Sequence, residues 1–221
     1  MGVSRSWVYE DHNYVMTARS EEDSVWKEWK KHGTFQEVEE LEVVRSLGLK
    51  GTYVDVGSNV GNHSVYFASQ CKCEHLVAVE PVSAFIDPFK RNMAVNAPNF
   101  DYKLIRAALL DKEGHGSMQS SDVHEAENSW AVIDDTGVLP IRTLDSLGIV
   151  GATLLKIDVE GSEADVIRGG SEFLRQNHPA IVVELVVDKK YDEFERLVAP
   201  FNYMCDHVNL YKNGAPTYLW Q

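Results

Sequence analysis

Very little in this 221-residue chain offers a staple, an anchor or a grip on a polyanion. It has three cysteines, Cys71, Cys73 and Cys205. They make neither an even set nor a Cys-x-x-Cys pair, which excludes a disulfide framework and a thiolate zinc knuckle. His-x-x-x-His pairs are missing too, and no metal is expected. Basic residues are scarce: 21 Lys and Arg against 34 Asp and Glu leave a net charge of −13. The runs Lys30-Lys31 and Lys189-Lys190 are too short to form a basic patch, so nucleic acid is not an expected partner. No apolar run approaches the ~18 residues of a membrane span. The longest, 180–187, is interrupted by Glu184. The first residues lack the apolar core of a signal peptide. These shortages predict a cytoplasmic protein with reduced thiols and no membrane span. A chain of this length forms one domain with its own core.

What is present is an alternation of apolar runs and amphipathic segments. Residues 1–50 read as an appendage covering the substrate side. SWVYEDHNYVMTA suits a hairpin turning at Asp11-His12-Asn13. Trp26 and Trp29 sit at helical spacing, and Phe35–Leu47 carries Phe35, Val38, Leu41 and Val44 on one helical face with its glutamates mostly outside. The domain proper runs from 51 to 221. Strands are predicted at 52–56, 75–80, 101–109, 153–159 and 180–187. Helices are predicted at 61–70, 84–96, 144–147, 162–176 and 189–198. Such apolar strands joined by helices imply a mostly parallel sheet with helices on both faces. At the end, runs at 203–210 and 216–220 flank Asn213-Gly214, a hairpin signal that predicts a C-terminal antiparallel pair. Between Asp111 and Leu144 no helix is evident, and a stretch of that length is usually functional.

The first βα turn carries the chemistry. VDVGSNVGNHSVYF is a strand ending on Asp55, a turn through Gly57, Ser58, Asn59 and Gly61, and a helix opening at Asn62. Glu80 stands 25 residues after Asp55, closing the next apolar run, HLVAVEP. This is the pattern of a Rossmann-type nucleotide site, where the glycine turn admits a ligand to the backbone and the later acid takes ribose hydroxyls. A dinucleotide turn has a middle glycine, and here Asn59 replaces it. Room for a diphosphate shrinks. Asp55 at the strand tip disfavours an anion and favours a ligand with an amino group or sulfonium. S-adenosyl-L-methionine has both and no phosphate. Glu80 suits its two ribose hydroxyls.

These segments resemble the FkbM family of S-adenosylmethionine-dependent methyltransferases. VDVGSNVGNHSVYFA resembles its first motif and VAVEP its second-strand acid. LLKIDVEGSEADVIRGG is the most distinctive segment, followed by PAIVVEL. The likeness covers residues 35–198. It implies a Rossmann-like seven-stranded methyltransferase fold of order 3-2-1-4-5-7-6 with strand 7 antiparallel. It also implies O-methylation of a hydroxyl on a sugar or secondary metabolite, so the partner is a small-molecule or glycan acceptor.

Asp55, Gly57, Ser58, Asn59, Gly61, Asn62, Glu80 and Pro81 are the expected cofactor contacts. The third strand ends without the usual acid or amide for adenine, which leaves Ala107 and Ala108 backbone, helped by Ser121 or Asp122. Asp158 is expected beside the methionine group and the reaction centre, with Lys156 as its neutralising partner. Glu184 is a lone carboxylate in an apolar strand and needs either a partner or a role. Glu160 and Glu163 suit either a helix cap or the ligand crevice. A hydroxyl acceptor must lose a proton, and Asp158, Glu184 and His124 are the candidate catalytic groups, with His63 a weaker one. Trp130 is the aromatic residue expected to touch a ligand. If a metal were needed, Asp158, Glu160 and Glu184 would be its oxygen donors. Two other readings stand beside this one: an NAD-dependent oxidoreductase or epimerase, against which the missing glycine counts, and a methyltransferase-fold binding module without turnover.

Overall fold

A computed structural model describes residues 2–120, 129–134, 136–185, 188–208 and 216–221. The described elements are, in chain order, β1 (Val3–Tyr9), β2 (His12–Ala18), α1 (Ser24–His32), α2 (Val38–Ser46), β3 (Gly51–Val56), α3 (Asn62–Gln70), β4 (Cys73–Val79) and α4 (Ser83–Asn96). Next come β5 (Tyr102–Ile105), β6 (Ala108–Leu109), β7 (Gly114–Ser120), β8 (Ser129–Ile133), β9 (Leu139–Arg142) and β10 (Ala152–Ile157). The chain closes with α5 (Glu163–Arg168), α6 (Ser171–Asn177), β11 (Ala180–Glu184), α7 (Asp188–Val198), β12 (Cys205–Val208) and β13 (Thr217–Trp220).

Seven strands form the central sheet in the order β12-β13-β11-β10-β3-β4-β5. The pairs β10–β11, β10–β3, β3–β4 and β4–β5 are parallel, while β13 runs antiparallel to both β11 and β12. This is the expected topology, read from the opposite edge.

The strands are apolar on both faces, and their period-2 alternation divides the core in two. Tyr53, Leu76, Ala78, Leu154, Val182 and Leu219 pack on one side with α2, α3 and α4. Val54, Val56, Val79, Leu155, Ile157, Ile181 and Trp220 pack on the other with α5, α6 and α7. Each Val, Leu or Ile buried in this way contributes about 1.5–3 kcal/mol.

The N-terminal residues pack into the first of these cores: Trp7, Tyr14, Met16, Trp29 and Phe35 meet Val65, Tyr66 and Phe67. Two asparagines one helical turn apart on α4 satisfy the free edge of β2. Asn92 accepts from Thr17 N (2.7 Å) and donates to Thr17 O (2.9 Å) and Val60 O (2.8 Å). Asn96 accepts from Val15 N (2.8 Å) and donates to Val15 O (2.9 Å). The hairpin turn itself lies at Glu10-Asp11, both at positive φ, starting one residue before the expected Asp11-His12-Asn13.

Three further expectations are corrected. The strand foreseen at 101–109 is two: β5 stays in the main sheet, while β6 leaves it to pair with β9 in a second sheet of order β6-β9-β7-β8. That sheet occupies much of the 111–144 stretch. The helix foreseen at 162–176 breaks at Gly169-Gly170. A Cβ at Gly169 would lie 2.3 Å from the Leu110 carbonyl oxygen, and one at Gly170 2.8 Å from the Leu144 side chain. The helix is interrupted so that the small sheet can approach. Finally, the glutamates of α2 are not mostly outside: Glu40 is buried, and Glu37 precedes the helix at φ 58°. The C-terminal hairpin forms as expected, although Asn213-Gly214 lies outside the described residues.

Candidate functional site

The site lies at the carboxyl ends of β3, β4 and β10, where α/β sheets hold their ligands. Gly57 and Ser58 leave β3 by donating N–H to the Val79 carbonyl oxygen (2.9 and 3.1 Å), which ties the turn to the end of β4. Gly57 has φ +80°, and a Cβ there would stand 1.7 Å from the Asp158 carbonyl oxygen. No other residue fits between the ends of β3 and β10. Gly61 has φ +88°, and a Cβ there would sit 2.9 Å from the Phe89 ring. Asn59, in place of a middle glycine, also takes a left-handed φ of 47°, and its own Oδ1 accepts from Val60 N (2.7 Å). Asparagine tolerates that conformation because its side chain bonds locally.

Glu80 is buried beside this turn. Oε2 accepts from Asn59 N (2.8 Å) and Oε1 from Val82 N (2.7 Å). Burial pushes its carboxyl up to about 7, against the pull of those two bonds. Two adjoining cavities open from here. The first is lined by Gly57, Asn59, Glu80, Pro81, Phe85, Ala107, Ala108, Met118, Ala131 and Asp158. The second is lined by Glu28, Glu37, Gly57, Ser58, Asn59, His63, Lys156, Asp158 and Glu184. Gly57, Asn59, Asp158 and Glu160 belong to both walls and mark the junction.

Parallel register sets Lys156 opposite Asp55. Its ammonium lies 3.4 Å from Asp55 Oδ1 and 3.3 Å from Asp158 Oδ2, and donates to the Gly57 carbonyl oxygen at 3.1 Å. Burial opposes this charge, but Asp158 and Asp55 outweigh burial and raise the Lys156 pKa. The expected neutralising role of Lys156 thus has its geometry. Asp55 is fully buried, and its Oδ2 accepts from Ser64 Oγ at 2.6 Å. It adds no surface to either cavity and lies beneath the floor, behind Lys156. Asp158 and Glu184 face each other. Burial and then Asp158 raise Glu184, whereas Lys156 and a bond from Glu184 outweigh burial and hold Asp158 low. The pair thus favours the proton on Glu184 and the charge on Asp158.

Of the remaining expected residues, Ser58 is buried with an unpartnered hydroxyl on the second cavity wall. Asn62 is committed elsewhere: Oδ1 accepts from Trp29 Nε1 (3.0 Å) and Gln36 N (3.1 Å), and Nδ2 donates to Gln36 O (3.0 Å). It ties the N-terminal segment over the site. Glu160 lines both cavities, and the capping work falls to Glu163, which accepts from Gly161 N at 2.6 Å. Ala131 rather than Trp130 lines the first cavity. His124, Ser121 and Asp122 lie outside the described residues.

Sequence reasoning missed Glu37 and Glu40. His63 Nε2 lies 3.2 Å from Glu37 Oε2 and 3.6 Å from Glu40 Oε1, with His63 and Glu40 buried. Burial opposes a charge on this ring, but the two glutamates outweigh it and push its pKa up to about 10. Glu37-x-x-Glu40 at helical spacing was the available signal.

The methyltransferase FkbM domain matches residues 55–211. The chain belongs to the FkbM methyltransferase family. Solved structures share its fold. The methyltransferase FkbM of Methylobacillus flagellatus KT superposes with a TM-score of 0.60 at 12% identity, over 86% of this chain and 49% of that one. This chain thus spans about half the length of that FkbM protein. Precorrin-6y C5,15-methyltransferase of Geobacter metallireducens GS-15 gives 0.51 at 14% identity, over 84% and 86% of the two chains. The tRNA (uracil-54, C5)-methyltransferase of Pyrococcus abyssi, solved with S-adenosyl-L-homocysteine, gives 0.51 at 14% identity, over 98% and 43%. No curated protein matches the sequence. Among the described residues of this FkbM-family chain, no helix is long and apolar enough to cross a membrane.

Proposed function

We propose that this chain binds S-adenosyl-L-methionine in the first cavity and transfers its methyl group to a hydroxyl of a small-molecule or glycan acceptor held in the second. The observation that carries the reading is Glu80: a buried carboxylate at the end of β4, fixed by two backbone N–H groups beside the glycine turn. It is aimed where a ribose diol would donate to it. Pro81, Val82 and Phe85 on one side and Ala107 and Ala108 on the other give an apolar slot for adenine.

The donor is already activated by its sulfonium, so the protein's work is alignment and proton removal. Asp158 stands where the cavities meet, between the methionine end of the donor and the acceptor. Glu184 favours the proton of the pair and leaves Asp158 ionised, an acceptor that orients the hydroxyl and takes its proton as the methyl group is transferred and the hydroxyl becomes strongly acidic. Lys156, itself paired with Asp55, holds Asp158 from below. Asp55 is thus assigned a supporting role, and direct cofactor contact passes to Gly57, Ser58, Asn59, Glu80 and Pro81. The missing middle glycine supports this reading over a dinucleotide oxidoreductase.

The test is transfer of labelled methyl from S-adenosyl-L-methionine over a panel of glycans and small hydroxylated compounds. Transfer by the native chain, lost in Asp158→Asn, is the expected outcome. S-adenosyl-L-homocysteine binding without transfer to any acceptor would favour a binding module instead.

A further inference from the structure

We propose that Glu37, Glu40 and His63 form a binding site for a divalent transition-metal ion on the wall of the acceptor cavity. This inference builds on the assignment of the second cavity to the acceptor. One oxygen from each glutamate and one His63 nitrogen lie within 4.8 Å of one another. The His63 Nε2 distances are 3.2 Å to Glu37 and 3.6 Å to Glu40. An ion about 2.1 Å from each ligand, at tetrahedral or octahedral angles, sets neighbouring ligand atoms ~3.0–3.5 Å apart. The His63–Glu37 edge falls in that range and the His63–Glu40 edge lies about 0.1 Å beyond it, an adjustment one side-chain rotation supplies.

A second observation is independent of the acidic character of the cluster. His63 is 7% exposed, and its Nε2 lies 3.2 and 3.6 Å from the two carboxylates without making a hydrogen bond to either. The surroundings favour a cation. Lys156 is engaged by Asp55, Asp158 and the Gly57 carbonyl oxygen. Glu28 and Glu160 also line the cavity. The donor set of one imidazole and two carboxylates suits Mn²⁺ or Zn²⁺ better than a thiolate-seeking ion. The ligands come from the start of α2 and the first turn of α3, packed together through Asn62, so the site exists only in the folded chain. Three protein ligands leave coordination positions facing the cavity, open to an oxygen of the acceptor.

The test is titration of Mn²⁺ into the full native chain, read by electron paramagnetic resonance of the free ion with Zn²⁺ as competitor. The same samples are titrated with S-adenosyl-L-homocysteine. One Mn²⁺ per chain is expected, displaced by Zn²⁺. Affinity should fall at least tenfold in Glu37→Gln and in His63→Gln, both still binding S-adenosyl-L-homocysteine. In the native chain, Zn²⁺ should also shift the His63 ring nitrogen resonances, a readout that needs no variant. No Mn²⁺ uptake, unchanged uptake in both variants, or no shift at His63 would each overturn the proposal and leave an imidazolium salt-bridged to two glutamates. A chain that binds S-adenosyl-L-homocysteine but not Mn²⁺ refutes the ion alone. One that binds Mn²⁺ but not S-adenosyl-L-homocysteine refutes the cofactor assignment alone.

Discussion

Replacing Lys156 by methionine tests whether the floor of the site is an electrostatic unit. The substitution keeps the apolar stem and removes the ammonium. Asp55, with no exposed surface, then keeps Ser64 as a partner but loses the only cation within salt-bridge distance of it among the described residues. Breaking a buried pair on one side costs about 3–5 kcal/mol, a large share of a total stability of ~5–15 kcal/mol. Asp158 is about a third exposed and adds little to that cost. With a urea slope near the upper end of ~1–3 kcal/mol per molar, the unfolding midpoint should fall by about 1–2 M. Asp55→Asn in the same background removes the stranded charge and keeps the Ser64 contact. The double variant should therefore be at least ~1.5 kcal/mol more stable than the sum of the two single losses, well beyond the ~0.5 kcal/mol scatter of independent sites. The assay is equilibrium urea unfolding of all four proteins without cofactor. Additivity within that scatter would refute the pairing.

Three other outcomes follow from the same geometry. Gly57→Ala should lower the melting temperature by at least ~6 °C, given roughly 2–4 °C per kcal/mol at this size and the clash of its Cβ with the Asp158 carbonyl. Gly148→Ala, at φ +62° with no atom within 4 Å, should cost about a third of that or less, and equal losses in the two variants would contradict the close-approach account. Because burial raises Glu80 to about 7, the carboxylate that accepts ribose hydroxyls forms only as pH rises through 7, so S-adenosyl-L-homocysteine should bind about tenfold more tightly at pH 8 than at pH 6. The corresponding stability effect has the opposite direction, falling as pH rises from the unfolded value of 4.5 towards 7, since the folded state holds the proton longer. Calorimetric titrations at the two pH values check this, and a Glu80→Gln variant should show no such dependence. Glu184→Gln should unfold at the same urea concentration as the native chain or higher at pH 8, because an amide mimics the protonated carboxyl, while Asp158→Asn should lower turnover by about 10²-fold or more. A large stability loss in Glu184→Gln would show that Glu184 is ionised.

The parallel strands and the glycine turn at their carboxyl edge were legible because buried strands and glycine turns follow local rules, whereas the sheet order came from the resemblance to the FkbM family. VDVGSNVG and HLVAVEP place Gly57 and Glu80 together once β3 and β4 pair in parallel. What was not legible depends on approach between distant segments. The break at Gly169-Gly170 answers to Leu110 and Leu144, and the split of 101–109 answers to pairing with β9. Asp55 looked like a ligand contact because it ends a strand, yet Lys156, a hundred residues on, covers it. Glu40 looked solvated because helical periodicity shows which face is polar, without showing that His63 waits opposite. Asn62 looked like part of the turn's ligand set; it lines the second cavity, but three hydrogen bonds of its amide go to Trp29 and Gln36.

The central claim is that the cleft beside Glu80 holds S-adenosyl-L-methionine. Its most direct test is calorimetric titration of the native chain and Glu80→Gln with S-adenosyl-L-homocysteine, with NAD as the control ligand. The account predicts one molecule of S-adenosyl-L-homocysteine per native chain, affinity reduced about tenfold or more in the variant by loss of charge-assisted bonds, and no NAD binding. Failure of both S-adenosyl-L-methionine and S-adenosyl-L-homocysteine to bind the native chain at millimolar concentration, or NAD binding in their place, would contradict it.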